Sequence, residues 1–264
     1  LTGTSIGLED RLSTMPSSST LDSYDPADAT PETVDRADLR AALMDGANRQ
    51  RVHAAKVIAT LAASDPDYVE PLVPTIAETL GDDRIVVNRE LASALASVAN
   101  TALETLEPAV GPLVALLNHD VPVVRGVAAM PVRLLVLERP DWFVPHADML
   151  LTVLEDQISD PTDGYDGVPL EEPDRYELHH SIAQDEERRQ LVARTVAASV
   201  LVEIADREPT VLSADTDRLV ALVGADDPAV VGAVADVIGS LANAGIEVEA
   251  ATTPLCDALT TWDH

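Results

Sequence analysis

Apolar residues at Val87, Leu91, Leu95 and Val98 fall four, four and three positions apart, the spacing that lines one face of an α-helix. The same pattern then returns along the chain at a fixed distance. Leu39, Ile76, Leu113 and Leu150 are 37 residues apart, as are Leu43, Leu80, Leu117 and Leu154 and the prolines Pro71, Pro108 and Pro145. Past residue 158 the register breaks and resumes, with Leu219 and Leu255 in the place of Leu150 and Val223 and Leu259 in the place of Leu154. The step from Leu150 to Leu219 is 69, one period of 37 plus an insertion of 32. A period of this size, held over most of a chain, is the signature of a solenoid.

Each period divides into a short helix and a longer one. First helices are predicted near 33–44, 69–80, 106–117, 143–157 and 211–223. Their partners are predicted near 48–63, 84–99, 121–138, 187–207 and 227–243, and a last helix near 249–261 closes the stack. Proline stands near several helix starts, where its missing N–H costs nothing. The fold class is therefore all-α, an α-solenoid of about five helix pairs plus a C-terminal helix, wound as a right-handed superhelical stack. Residues 1–32 read as a poorly ordered N-terminal tail, with Met15 a second candidate initiator. Residues 33–261 read as the repeat domain, interrupted by an acidic insertion at about 158–186.

Three nearly identical phrases mark the corners: GDDRIVV (81–87), NHDVPVV (118–124) and ADDPAVV (225–231). Each carries an Asp before two spacer residues and a Val-Val pair. The Asp is expected to cap the second helix, accepting its free N–H groups and complementing its positive end. The Val pair is expected to begin the buried face. On these residues the chain resembles the HEAT-repeat family of armadillo-type solenoids. That family has two antiparallel helices per unit, an Asp in the turn between them and a Val-Arg shortly after. HDVPVVRGVAA (119–129) matches best, with Asp120, Val124 and Arg125. DDPAVVGAVA has Gly232 where Arg is expected, and DDRIVVNRELA has its Arg one place late, at Arg89. The resemblance implies that second helices line the concave surface. It is informative about fold and says little about function.

Charge changes the picture of the surface. The chain has 46 acids against 17 basic residues, a formal net charge of −29, and Lys56 is its one lysine. Acids are spread throughout and the apolar pattern is intact, so the composition resembles that of acidic proteins from salt-loving archaea, whose self-repulsion high salt screens. Aromatics make up 3%, so the core is expected to be Ala, Val and Leu. One Cys, Cys256, permits no internal disulfide. No apolar run is long enough to span a membrane, and a cytoplasmic location is the expectation.

Few residues invite chemistry. The insertion carries eleven acids and one Arg from Asp156 to Glu187. It reads either as a solvated loop or as a contact edge. Asp160, Asp163 and Asp166 do not follow the spacing of a known Ca²⁺ loop. His179 and His180 are adjacent rather than three or four apart, so they do not form a zinc pair on one helix face. Trp142 and Phe143 sit two periods after Tyr68 and Val69, which reads as a wedge between units. Trp262 is placed to cover the end of the stack or to meet a partner.

The charge feature that stands out is local neutrality. From Arg84 to Arg139 there are five Arg and five acids, with most of the Arg on second helices. Two readings stand: Arg89, Arg125 and Arg133 dock a partner, or they bridge neighbouring units. Phosphate-loop, nucleophile-elbow and zinc-protease motifs are absent, as is the basic stripe a nucleic-acid binder needs. The chain is thus expected to be a non-catalytic protein-binding scaffold or adaptor without a cofactor. Its candidate contacts are Arg89, Arg125, Arg133, His179 and His180, and its protein partner is unidentified. The alternative is a regulatory or accessory subunit of an enzyme, since some HEAT-like proteins resemble lyase subunits.

Overall fold

A computed structural model describes residues 25–156, 173–225 and 227–262; the side chains of 173–184, 186, 259, 261 and 262 lie outside the description. The described chain is helical throughout and carries no strand among those residues. Helix α1 (Arg36–Met44) pairs with α2 (Asn48–Ser64). The second unit joins α3 (Pro66–Val69) and α4 (Val73–Thr79) to α5 (Ile85–Ala99). The third pairs α6 (Val110–Leu117) with α7 (Pro122–Glu138), and the fourth α8 (Ala147–Glu155) with α9 (Pro173–Arg207). The fifth pairs α10 (Thr216–Leu222) with α11 (Pro228–Asn243), and α12 (Thr252–Trp262) ends the stack.

The first helices are not the continuous rods the periodicity predicts. A 3₁₀ turn precedes each of them from the second unit on: Glu70–Leu72, Leu103–Ala109, Pro140–His146, Pro209–Asp215 and Glu249–Ala251. Pro71, Pro108 and Pro145 fall inside three of these turns. A proline cannot donate the backbone bond an α-helix needs, whereas a short 3₁₀ turn accommodates it. The recurring Pro therefore breaks each first helix into a tight lead-in and an α-helical body.

The units pack in sequence as two layers. Second helices α2, α5, α7, α9 and α11 each pack on the next, and first helices form the other layer. The periodic residues line up between them. Leu39, Ile76, Leu113, Leu150 and Leu219 are all fully buried. On the second helices Ala54, Leu91, Ala128 and Ala197 share one level, and Ile58, Leu95, Val132 and Leu201 the next, all buried. Burying each Leu or Ile contributes roughly 1.5–3 kcal/mol. Alanine at a recurrent level lets neighbouring helices approach closely.

Packing begins ahead of residue 33. Asp25 accepts from the Ala27 N–H at 3.0 Å to start a 3₁₀ turn, Pro26–Asp28, and Ala29 and Val34 are buried. The insertion also differs from expectation. Helix α9 starts at Pro173 and is 35 residues long, so the second half of the insertion extends the fourth unit's second helix backward. After Pro173 there is no Gly or Pro before Pro209 to stop it, and acid content alone does not. Asp160, Asp163 and Asp166 lie outside the described residues. The stack continues past the insertion, because Arg218 on α10 reaches Asp148 and Glu155 on α8, each at 2.6 Å.

The corners are capped differently from the sequence expectation. Asp227 is the N-cap of α11, and its carboxylate accepts from the Ala229 N–H at 2.9 Å. Asp83 and Asp120 do not cap. They stand one residue before the N-cap positions of α5 and α7, which are Arg84 and Val121. There the residue two before the N-cap turns the chain: Asp82 accepts from the Arg84 N–H at 2.8 Å, and His119 Nδ1 from the Val121 N–H at 2.9 Å. The third phrase is thus one residue out of step with the first two. Its equivalent of Arg125 is the buried Val231, not Gly232. The second Val of each pair, Val87, Val124 and Val231, is buried as expected.

Candidate partner-binding face

Four residues past the N-caps of α2, α5 and α7 stand Arg51, Asn88 and Arg125, and Arg194 takes the equivalent place inside the longer α9; these side chains tie the stack together. Three of them reach back to a carbonyl in their own unit. Asn88 donates to Asp82 O at 2.8 Å, Arg125 Nε donates to His119 O, and Arg194 donates to Leu154 O at 2.9 Å. Two also reach forward. Arg51 Nε pairs with Asp82 Oδ2 at 3.1 Å, as an ion pair without hydrogen-bond alignment, and Arg125 Nη1 donates to Asp156 Oδ2 at 2.9 Å. Asp82, His119 and Asp156 are themselves 37 residues apart. Between the second and third units no ion pair joins these positions, since Asn88 bonds only within its own unit, to Gly81 N and Asp82 O.

Arg125 is therefore a bridge. It is 8% exposed, with both ends of its guanidinium engaged. Of the two readings given for it, docking or bridging, these contacts support bridging, because helix register turns position 125 toward the next unit. Arg194 takes the equivalent place past the insertion and holds the Leu154 carbonyl of its own unit without reaching the next one, and sequence reading missed it. The signal was present, since Arg194 lies 69 residues after Arg125, the interval that separates Leu150 from Leu219.

Arg89 and Arg133 point the other way, both exposed on the outer side of the second-helix layer. Arg89 pairs with its neighbour Glu90 at 2.6 Å. Arg49, Lys56, Arg133 and Arg189 make no ion pair to a described residue, and all four stand on second helices. Across α2, α5 and α7 the sequence holds six basic residues (Arg49, Arg51, Lys56, Arg89, Arg125, Arg133) and two acids (Glu90, Glu138). The acids concentrate on the first helices and their lead-ins, including Asp38, Glu70, Glu78, Glu104, Glu107, Asp141, Asp148 and Glu155. Over α2, α5 and α7 the second-helix face is thus a basic-to-neutral strip in a chain of net charge −29, whereas α9 and α11 carry more acids than bases.

His179 and His180 lie on the backbone of α9, and their side chains fall outside the described residues, as does that of Trp262 on α12. Trp142 and Phe143 are buried, and the Arg139 guanidinium stacks 4.1 Å from the Trp142 ring centre. Two periods earlier Arg36 stacks 4.2 Å from the ring of Tyr68, whose hydroxyl donates to Val34 O. These aromatics join units at the lead-in turns. Among the described residues no group of three His, Cys, Asp or Glu side chains is placed to hold a metal ion. No described helix is long and apolar enough to cross a membrane.

No family model matches the sequence, and no curated protein does. The fold is similar to that of an engineered protein of known crystal structure, Northeast Structural Genomics Consortium target OR329. The similarity has a TM-score of 0.50 at 16% identity and covers 86% of this chain and 95% of that one. At that identity the likeness concerns the fold: a sequentially packed, all-helical repeat.

Proposed function

We propose that this chain is a non-catalytic protein-binding scaffold that docks its partner on the outer side of the second-helix layer. One observation carries the reading. Among the described residues, Arg36, Arg40 and Arg194 lack an ion pair but hydrogen-bond within the stack, whereas Arg49, Lys56, Arg133 and Arg189, all on second helices, make neither an ion pair nor a hydrogen bond to a described residue, in a chain with 46 acids to pair with. Side chains held on rigid helices and left uncompensated are suited to recognition, and a stack of units offers an extended surface for it. The test is charge reversal of Arg89 and Arg133 together. Both are exposed, so Arg89→Glu/Arg133→Glu keeps the wild-type helicity and melting temperature while losing capture of the partner from the native cells. Unchanged capture would defeat the proposal.

The acidic first-helix exterior we read as adaptation to concentrated salt. Transfer from molar to low salt lengthens the Debye screening distance from about 3 Å to about 30 Å, so helicity measured by circular dichroism falls. Undiminished helicity at low salt would overturn that reading.

A further inference from the structure

We infer that the α5–α7–α9 face takes an acidic segment of a partner protein carrying an apolar stripe. This deepens the docking reading above and rests on it. Of the six large apolar side chains that are exposed among the described residues, four stand on these helices: Ile85, Met130, Leu137 and Val192. Met130 is 60% exposed and Leu137 67%. They are seven residues apart on α7, with Arg133 between them at a spacing of three and four, so the three form one row along one helix face.

The neighbouring rows are small. By the repeat register, Ser93 and Ala96 on α5 and Thr195 and Ser199 on α9 stand level with Met130 and its surroundings. Around Met130 the α7 row is thus a ridge with short side chains on either side, while at the level of Leu137 the α9 lane holds Asp206, whose carboxylate accepts from the Ser240 hydroxyl. Arg89 stands at the head of the α5 lane. The stem of Arg189 lies where a Cβ on Gly126 would meet it at 3.1 Å, at the head of the α9 lane.

Charge selects among occupants. A basic segment meets like charges at Arg89, Arg133 and Arg189. A nucleic acid leaves Met130 and Leu137 uncovered and runs into the acids of the first-helix side. A second copy of this chain offers an acidic exterior, but its large exposed apolar side chains on first helices are Met44 and Met149 alone, on separate units. An amphipathic segment with apolar side chains at helical spacing covers the ridge, and its carboxylates meet the three arginines. Helix-in-groove recognition works on this plan.

The experiment uses the full chain and three labelled helical peptides that share one leucine stripe and carry Glu, Gln or Lys elsewhere, with fluorescence anisotropy at about 0.15 M salt, where screening acts over ~8 Å. The Glu peptide is expected to bind about tenfold more tightly than the Gln peptide, with the Lys peptide weakest. Arg133→Gln weakens the Glu peptide about fivefold and leaves the Gln peptide unchanged, whereas Leu137→Ser weakens both. Wild-type circular dichroism and melting certify that each variant is folded. Equal binding of the three peptides overturns the inference. If Arg89→Glu/Arg133→Glu still abolishes partner capture in that case, docking on this face stands and the acidic class falls. A dimer by sedimentation that Met130→Ser/Leu137→Ser converts to monomer assigns the face to a second copy and overturns it equally.

Discussion

Arg125 on α7 and Asp156 at the end of α8 meet across a unit boundary, Nη1 lying 2.9 Å from Oδ2. The same guanidinium holds the His119 carbonyl through Nε, so one side chain closes the turn of its own unit and clamps the next. Removing it leaves a partly buried carbonyl unpaired and frees a half-exposed carboxylate to water. Arg125→Ala is expected to cost about 2 kcal/mol, read as a lower urea midpoint at unchanged slope. Arg125→Met keeps the apolar stem in place and is expected to cost less. Equal midpoints for wild type and Arg125→Ala would show that the pair contributes nothing.

The Arg218 cluster joins α10 to α8 on the more exposed side. Its guanidinium pairs with Glu155 at 2.6 Å, Asp148 at 2.6 Å and Asp215 at 3.2 Å. Hydrogen bonding to Arg218 holds the Glu155 carboxyl below its ordinary value of 4.5. A carboxyl depressed by folding contributes stability above its unfolded value, and that contribution is lost as pH falls through the folded one. Arg218→Gln is therefore expected to lower stability at pH 7 by at most about 1 kcal/mol in dilute salt, because the cluster is partly exposed. The deficit shrinks in molar salt and again as the pH drops below 4.5, followed by thermal melting. A deficit that grows on acidification would contradict this account.

Much of this architecture is legible in the residues. Leu39, Ile76, Leu113 and Leu150 are buried in successive units because a repeat must bury the same face each time, and that demand writes itself into sequence. The corner chemistry is less legible. Asp83, Asp120 and Asp227 look equivalent in their phrases, yet only Asp227 occupies an N-cap, since a one-residue shift decides whether a carboxylate reaches the helix N–H groups. Arg125 and Arg133 are likewise both arginines on one helix. Their eight-residue separation sends one toward the next unit and the other to solvent, which depends on where the helix starts. The second-helix strip is visible as local neutrality, but its sign becomes clear only when Glu104 and Glu107 of the same window fall on the lead-in to α6.

His146 lies in the turn before α8, and its ring packs on the third unit: a Cβ at Gly111 would come within 3.0 Å of its Cε1. Burial lowers its pKa from the ordinary 6.5. The unfolded chain then binds more protons than the folded one near that pH, so stability is full above 6.5 and declines as pH falls through it. His146→Gln is expected to flatten the wild-type decline between about pH 7 and pH 5 in a urea-midpoint series. A variant curve parallel to wild type over that range would assign the decline to other groups.

The ladder of cross-unit rungs stops one step early, and the missing step is testable. Arg51 finds Asp82 and Arg125 finds Asp156. Arg194, 69 residues after Arg125, is buried at 7% exposure, and its Nε has no hydrogen-bond partner. The position 69 residues after Asp156 is Ala225, half-buried and packed against the core. Repetition of the geometry therefore places a methyl group where two earlier units place a carboxylate. Ala225→Asp supplies that carboxylate to a guanidinium already fixed by Leu154 O, so the side-chain ordering cost on the arginine is largely met. A charge-assisted hydrogen bond at a partly buried site contributes about 1.5–3 kcal/mol, less the desolvation of the new carboxylate. The net expectation is a gain of about 1 kcal/mol at pH 7, abolished in Arg194→Met/Ala225→Asp. A double-mutant cycle by urea unfolding measures the coupling directly. A coupling of zero would mean that the insertion, although it leaves the stack continuous, displaces the fifth unit's turn from the rung geometry of the units before it.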